Sequence, residues 1–186
     1  MIPKIIHYCW FGPKPLSKLA KKCMKSWKKF LPDYEIKLWN EESFDYNQNT
    51  FVKQAYENKK WAFVSDYARL KALSEYGGIY LDTDMEITKD ISHILKNECF
   101  LGVEDSGLVN AAVIGAKRPH NEFIDKLIKQ YENINEFDIK DIYAMTIPRQ
   151  ITKMLEPLGF DKSKQEIQTF FNKNLTVYPR EYFYPL

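Results

Sequence analysis

The sequence predicts a single α/β domain in which a central sheet is flanked by helices, and three observations carry that prediction. A β-former run over 3–10, an amphipathic helix over 17–30 and a second strand over 34–39 follow one another in the order of a right-handed β-α-β unit. A further helix passes through the glycine pair Gly77-Gly78 into the short apolar run Ile79-Tyr80-Leu81. The chain has 186 residues, 45% of them hydrophobic and 15% aromatic, enough for one substantial core and unlike a disordered chain.

Pro3 to Trp10 is the first, buried strand, and it ends in the turn Phe11-Gly12-Pro13. Ligands of open α/β sheets sit at the carboxyl ends of strands, and Trp10 is placed there. His7 reads as a hydrogen-bonded core histidine. In the helix over 17–30, Leu16, Leu19, Ala20, Cys23, Trp27 and Phe30 or Leu31 make the inner stripe, with Lys18, Lys21, Lys22, Lys25, Lys28 and Lys29 mostly outside it. A basic outer face is most often simply solvated; the alternative is a peripheral contact with anionic lipid. Pro32-Asp33 turns the chain into the strand over 34–39. A helix over 46–60 follows, burying Phe51, Val52, Ala55 and Tyr56.

The organising stretch begins at Ala62. Phe63, Tyr67, Leu70 and Leu73 or Ser74 share one helical face, and Asp66 and Arg69, three apart, share another. Gly77-Gly78 stops the helix, and the buried strand after it delivers the chain to Asp82. Residues two apart in an extended backbone point to one side, roughly 6 to 7 Å apart, so Asp82 and Asp84 are expected to aim at one point. Paired hard oxygens suit Mg²⁺ or Mn²⁺, ions that complete their shell with water and substrate phosphate. The third party that this chemistry expects is a diphosphate, whose departing charge a divalent ion stabilises. Arg69 can grip a hydroxyl or phosphate with its fork of donors. Taken alone, Asp-x-Asp is also an ordinary turn.

Beyond that point, 85–94 wanders, and strands over 98–103 and 108–115 flank Glu104-Asp105-Ser106-Gly107. Asn110, polar among apolar neighbours, must find a partner. A helix spans 121–131, and Thr146-Ile147-Pro148-Arg149 opens a last one. The net charge of +2 gives no reason to expect a nucleic-acid partner. Cys9, Cys23 and Cys99 lack metal-type spacing, and their odd number argues against a disulfide framework. With no signal peptide and no apolar run near the roughly 20 residues of a membrane span, a cytoplasmic protein is expected, peripheral to the inner membrane face if the lysines meet lipid.

Ser-Asp-x-x-Arg at 65–69, Gly-Gly-Ile-Tyr-Leu at 77–81 and Asp-Thr-Asp at 82–84 together resemble the DXD sugar-binding region of glycosyltransferase family 32. That family includes capsular polysaccharide, mannosyl- and galactosyltransferases. The combination is also similar, more distantly, to the glucosyltransferase domains of large clostridial toxins. The likeness extends to Ile2-Pro3-Lys4-Ile5-Ile6-His7-Tyr8-Cys9-Trp10-Phe11-Gly12, and more faintly to Tyr178-Pro179 with Tyr182-Phe183. It implies a GT-A type fold with a mixed sheet, and metal-dependent sugar transfer with retention from a nucleotide-diphosphate donor, UDP favoured, to a glycan or lipid-linked saccharide. It further implies Trp10 stacked on the base, with a core tryptophan as the alternative. Asp66, Arg69 and Asp82 would lie on the donor, with Asn110 on its sugar. Metal would sit on Asp84 and Asp82, and Asp82, Asp84 and Arg69 would serve catalysis. Family members carry a further segment with a His and a Ser-Trp pair that closes over the diphosphate. No histidine follows His120, so a domain without that segment is expected. Two rivals stand beside this reading: a non-catalytic nucleotide-sugar or glycan binder, and a haloacid-dehalogenase type phosphatase, whose nucleophile strand Tyr80-Leu81-Asp82-Thr83-Asp84 also resembles.

Overall fold

The computed structural model describes residues 1–184; Pro185 and Leu186, the end of the aromatic tail, lie outside the described residues. In chain order its elements are β1 (Ile5–Cys9), α1 (Lys18–Phe30), β2 (Glu35–Trp39), α2 (Thr50–Glu57), α3 (Trp61–Tyr76), β3 (Gly78–Leu81), β4 (Cys99–Val103), β5 (Val109–Ala116), α4 (Glu122–Glu132), α5 (Ile147–Leu155), β6 (Gln168–Phe170) and β7 (Leu175–Tyr178). The strands form one sheet in the order β2-β1-β3-β5-β4-β7-β6. β1 runs parallel to β2 and β3, whereas β5 runs antiparallel to β3 and β4. The sheet is therefore mixed, and the first three elements form the β-α-β unit that the sequence predicts.

Side-chain alternation along the strands splits the interior into two cores, one on each sheet face. Ile6, Tyr8, Ile79 and Leu81 pack with Cys23 and Trp27 of α1. Cys9, Tyr80, Leu101 and Ile114 pack with α2, α3, α4 and α5. The N-cap Ser17 accepts from the Ala20 amide at 3.0 Å and so starts α1. Ala20, Cys23 and Trp27 are buried, as the stripe predicts, but Leu19 is 52% exposed. At about 100° per residue Leu19 lies off the line through those three, which removes it from the inner stripe. Trp27 donates its Nε1–H to the Met85 carbonyl at 2.7 Å, and Ser26 Oγ accepts from the Ile87 amide at 2.9 Å. These bonds fasten the irregular chain after β3 to α1.

α2 begins at Thr50, later than its apolar spacing predicts, because Asn49 Oδ1 accepts from the Val52 amide at 2.9 Å and sets the start there. Tyr56 is only half-buried and stacks on Tyr46 with ring centroids 3.6 Å apart. α3 is buried on nearly every side, because β1, β3, α2 and α4 surround it. Its end requires glycine. Gly77 and Gly78 have φ of 64° and 95°, and a Cβ on Gly78 would stand 2.7 Å from the Ile5 carbonyl oxygen. The same junction fixes His7: its Nε2–H donates to the Gly77 carbonyl at 2.8 Å, and Nδ1 accepts from Trp39 Nε1–H at 3.1 Å. Accepting at Nδ1 needs the neutral ring, and burial pulls the pKa of His7 down to about 4 against the Gly77 bond, which favours the charged form.

Two features were not expected from the sequence. β6 and β7 form a hairpin at the far edge, with β7 parallel to β4. β5 is irregular: Phe100 pairs with Gly115 but Gly102 with Asn110, so six residues of β5 face three of β4. The irregular stretch lies beside the end of β3, where the Ala112 carbonyl accepts from the Asp82 amide at 2.8 Å.

Candidate active site

β1 and β3 are parallel neighbours and end at the same rim of the sheet, so the residues leaving them emerge side by side. A cleft of about 710 Å³ opens there, lined among others by Trp10, Trp61, Ser65, Asp82 and Asp84. Trp10 is half-buried; its Nε1–H donates to the Lys14 carbonyl at 2.6 Å, which fixes the indole. Part of the ring packs on the α1-side core and part faces the cleft, so Trp10 is not a wholly buried core residue.

The two aspartates meet in this cleft by a different route from the one expected. The strand ends at Leu81, and the Met85 amide donates to the Asp82 carbonyl at 3.0 Å, closing a turn over 82–85. The turn, rather than an extended backbone, brings both side chains to the cleft. Their environments differ. Asp82 Oδ1 accepts from the Tyr80 hydroxyl at 2.8 Å and lies 3.3 Å from Arg69 Nη2, while Oδ2 accepts from Arg69 Nη1 at 3.5 Å. Asp84 is exposed and has no hydrogen bond or ion pair among the described residues.

Arg69 is the hub. Nε donates to the Ser65 carbonyl at 3.2 Å, Nη1 to the Ala111 carbonyl at 2.8 Å, and Nη2 lies 3.0 Å from Asp66 Oδ1. The guanidinium also lies over the Tyr80 ring, 4.4 Å from its centroid. With the two contacts to Asp82, the five N–H donors of the guanidinium have partners inside the protein. Burial opposes the charge, but Asp82, Tyr80 and Asp66 outweigh it and hold Arg69 firmly protonated. The sequence assigns this fork to a ligand; the structure spends it on Asp82, Asp66 and the irregular part of β5.

Asp66 and Arg69 adjoin, as their spacing predicts, but Asp66 is buried away from the cleft. Its Oδ2 accepts from the Ile147 amide at 3.2 Å, at the first turn of α5. Burial pushes its pKa up to about 6, against the pull of Arg69 and that amide. Asn110 also finds protein partners: its Oδ1 accepts from the Ala112 amide at 2.7 Å and its Nδ2 donates to Glu104. It secures the irregular stretch of β5 and does not line the cleft.

Several cleft residues were missed. Trp61 and Ser65 stand eight and four residues before Arg69 on one helical face, a spacing that was available to sequence reasoning. Gly12 belongs with them: a Cβ there would lie 2.7 Å from Trp61 Nε1, so only glycine lets this loop close on the indole. Tyr80 holds Asp82 and is more than an apolar strand former. Tyr184 lines a separate hollow with Glu104 and Arg180, and burial, then the charges of Asp82 and Glu104, hold its phenol above its ordinary pKa. Cys9 lines the cleft, yet burial raises its pKa to about 12, so it is no ready thiolate.

The donor set fits a divalent ion of one kind only. Among the described residues no three His, Cys, Asp or Glu side chains converge on a point. Asp84 is unencumbered and Asp82 is braced beside it, which suits Mg²⁺ or Mn²⁺ completing its shell with water and phosphate. It does not suit a metal that needs a cage of protein ligands.

A mixed sheet with the cleft at the carboxyl ends of β1 and β3, and an Asp-x-Asp turn at its floor, defines a GT-A type nucleotide-diphospho-sugar transferase fold. The solved PaToxG glycosyltransferase shares it, with a TM-score of 0.62 at 20% identity over 87% of this chain and 71% of that one. A transferase mutant structure does so with a TM-score of 0.56 at 12% identity, over 84% and 87%. Residues 17–101 match the family described as glycosyltransferase sugar-binding region containing DXD motif, and the chain is a relative of these DXD glycosyltransferases. A mannosyl phosphorylinositol ceramide synthase of Saccharomyces cerevisiae is 33% identical over 144 residues, 72% of this chain and 36% of its own length. The lactosylceramide 4-alpha-galactosyltransferase of Rattus norvegicus is 27% identical over 124 residues, covering 66% of this chain and 32% of its own. This chain thus spans about a third of the length of these two curated relatives.

Proposed function

We propose that the chain is a metal-dependent glycosyltransferase that moves a sugar from a nucleotide-diphosphate donor, a UDP-sugar foremost, to a hydroxyl of a glycan or lipid-linked saccharide. The observation that carries this reading is the single cleft shared by Trp10, Asp82 and Asp84. The names of the two curated relatives, which refer to ceramide lipids, support a lipid-linked acceptor.

In this reading the base rests on Trp10 and the diphosphate reaches the turn over 82–85. Asp84, with no protein partner among the described residues, holds Mn²⁺ or Mg²⁺, which when bound neutralises the charge of the leaving diphosphate. Asp82 lines the same cleft, its carboxylate oriented by Tyr80 and Arg69. Arg69 is accordingly a positioning residue, and Asp66 acts through it. Asp82 and Asp84 are the carboxylates among the described lining residues, and both are assigned to the metal side. No enzyme nucleophile is therefore assumed; retention then requires the acceptor hydroxyl to approach from the face that the diphosphate leaves, and catalysis comes from positioning and charge stabilisation. The phosphatase alternative lacks support, since the strand carrying Asp82 lies third in the chain and pairs antiparallel with β5 in a GT-A sheet.

Calorimetric titration with UDP, with and without Mn²⁺, tests the proposal. Wild-type protein is expected to bind far more tightly with the metal, and Asp84→Ala to lose that increment while keeping its melting temperature. Equal affinity of Asp84→Ala and wild type for UDP with Mn²⁺ would remove the metal role. Metal-dependent UDP binding without transfer to any saccharide acceptor would favour the non-catalytic binder.

A further inference from the structure

We propose that the outer face of α1 is a docking surface for an anionic lipid bilayer. Projected at about 100° per residue, Lys18, Lys21, Lys22, Lys25, Lys28 and Lys29 fall within an arc of roughly 120°, and α1 contains no acidic residue. The whole chain carries +2, so six positive charges gathered on one helix leave −4 for everything else. Charge is segregated, not merely abundant.

Among the described residues Lys22 alone of the six has an acidic partner, Glu86 at 2.9 Å. The others stand three or four residues from one another along the stripe, a spacing at which like charges repel and weaken the helix. α1 holds together because its opposite side buries Ala20, Cys23 and Trp27. A surface that opposes its own helix is relieved by a polyvalent anion. Two neighbouring features specify that the anion is lipid. Leu19 is 52% exposed at the edge of the stripe. A largely apolar cavity of about 210 Å³, lined by Met85, Ile87, Ile91, Phe100 and Phe183 and also by Glu86, Glu181 and Lys89, opens on the same sheet face. Cationic and apolar surface side by side match a phospholipid headgroup with its chain.

The surface is also contiguous with the active cleft. Lys14, which lines the cleft, lies in the loop joining β1 to α1. A bilayer against α1 would bring the cleft mouth near the membrane plane.

The test is co-sedimentation of the full chain with vesicles of phosphatidylcholine alone or with about a third phosphatidylserine, at low salt and at about 0.5 M salt, where screening is strong. Binding is expected on the anionic vesicles only and is expected to fall sharply in high salt. The triple variant Lys18→Glu, Lys25→Glu, Lys29→Glu should lose at least about a hundredfold in partitioning. It should melt no lower than wild type and bind UDP with Mn²⁺ as wild type does. Leu19→Ser should weaken partitioning several-fold beyond any electrostatic effect. Equal binding to neutral and anionic vesicles, or an unaffected triple variant, would overturn the proposal. Retention on soluble heparin as strong as on anionic vesicles at the same salt would overturn the bilayer assignment in favour of general cation binding. Loss of UDP binding in wild type would instead count against the transferase reading, leaving the vesicle result to stand by itself.

Discussion

Arg69→Met removes a cation held by two carbonyls and two carboxylates through five contacts. Breaking a buried ion pair from one side costs about 3 to 5 kcal/mol. The Ala111 carbonyl, left without Nη1, adds about 1 to 3 kcal/mol. The sum, about 4 to 8 kcal/mol, is comparable with the whole stability of a domain of this kind, about 5 to 15 kcal/mol. Arg69→Met is therefore expected to be largely unfolded or to lose most of its urea midpoint. Arg69→Lys keeps the charge, but a compact ammonium cannot serve Asp66, Asp82 and Ala111 together. Its expected loss is about 2 to 3 kcal/mol, read as a melting temperature lower by about 4 to 12 °C. Adding Asp66→Asn to Arg69→Met should restore about 1 to 3 kcal/mol, because the stranded carboxylate is then neutral. Urea unfolding followed by far-UV circular dichroism, with UDP and Mn²⁺ titration on the folded variants, measures all three. Arg69→Met within about 1 kcal/mol of wild type and yet unable to bind UDP would refute the reasoning and return Arg69 to direct ligand contact.

Trp10→Ala should lower UDP affinity about 5- to 160-fold, the range of one lost base-aromatic stack, with a smaller effect on melting. Unchanged affinity with a large melting loss would make the residue core alone. His7 supplies a pH test: its folded pKa, about 4, lies below the ordinary 6.5, so its contribution is fully present above pH 6.5 and is lost as pH falls through 4. The loss is about 3 kcal/mol for a shift of this size. His7→Gln should begin less stable and show a shallower decline over that window; parallel curves for the two proteins would contradict the neutral, doubly bonded ring.

Local chemistry made much of the architecture readable. β1, α1, β2, α3 and β3 announce themselves through periodicity and a glycine stop, all set within a few residues. The hairpin of β6 and β7 does not. Its turn uses Phe171, Asn172 and Lys173 at φ of 52°, 53° and 66°, without glycine, and β7 is held by parallel pairing to β4 from far away in the chain. The site divides in the same way. Asp82, Asp84 and Trp10 were legible because strand ends and ligand sites coincide in α/β sheets. The true partners of Asp66 and Arg69 were not, because Ile147 and Ala111 lie 81 and 42 residues away and reach them through backbone groups. Backbone groups carry no residue-specific signal.

The position of β3 has a consequence for synthesis on the ribosome. Its neighbours are β1, which precedes it by about seventy residues, and β5, complete only at Ala116. The first β-α-β unit can pair once residue 39 has emerged, but the aspartate-bearing strand keeps one open edge until far more chain is available. During vectorial folding the cleft-bearing rim is therefore half-walled for an extended interval. Nascent chains stalled between those two lengths should be the forms that need chaperone cover.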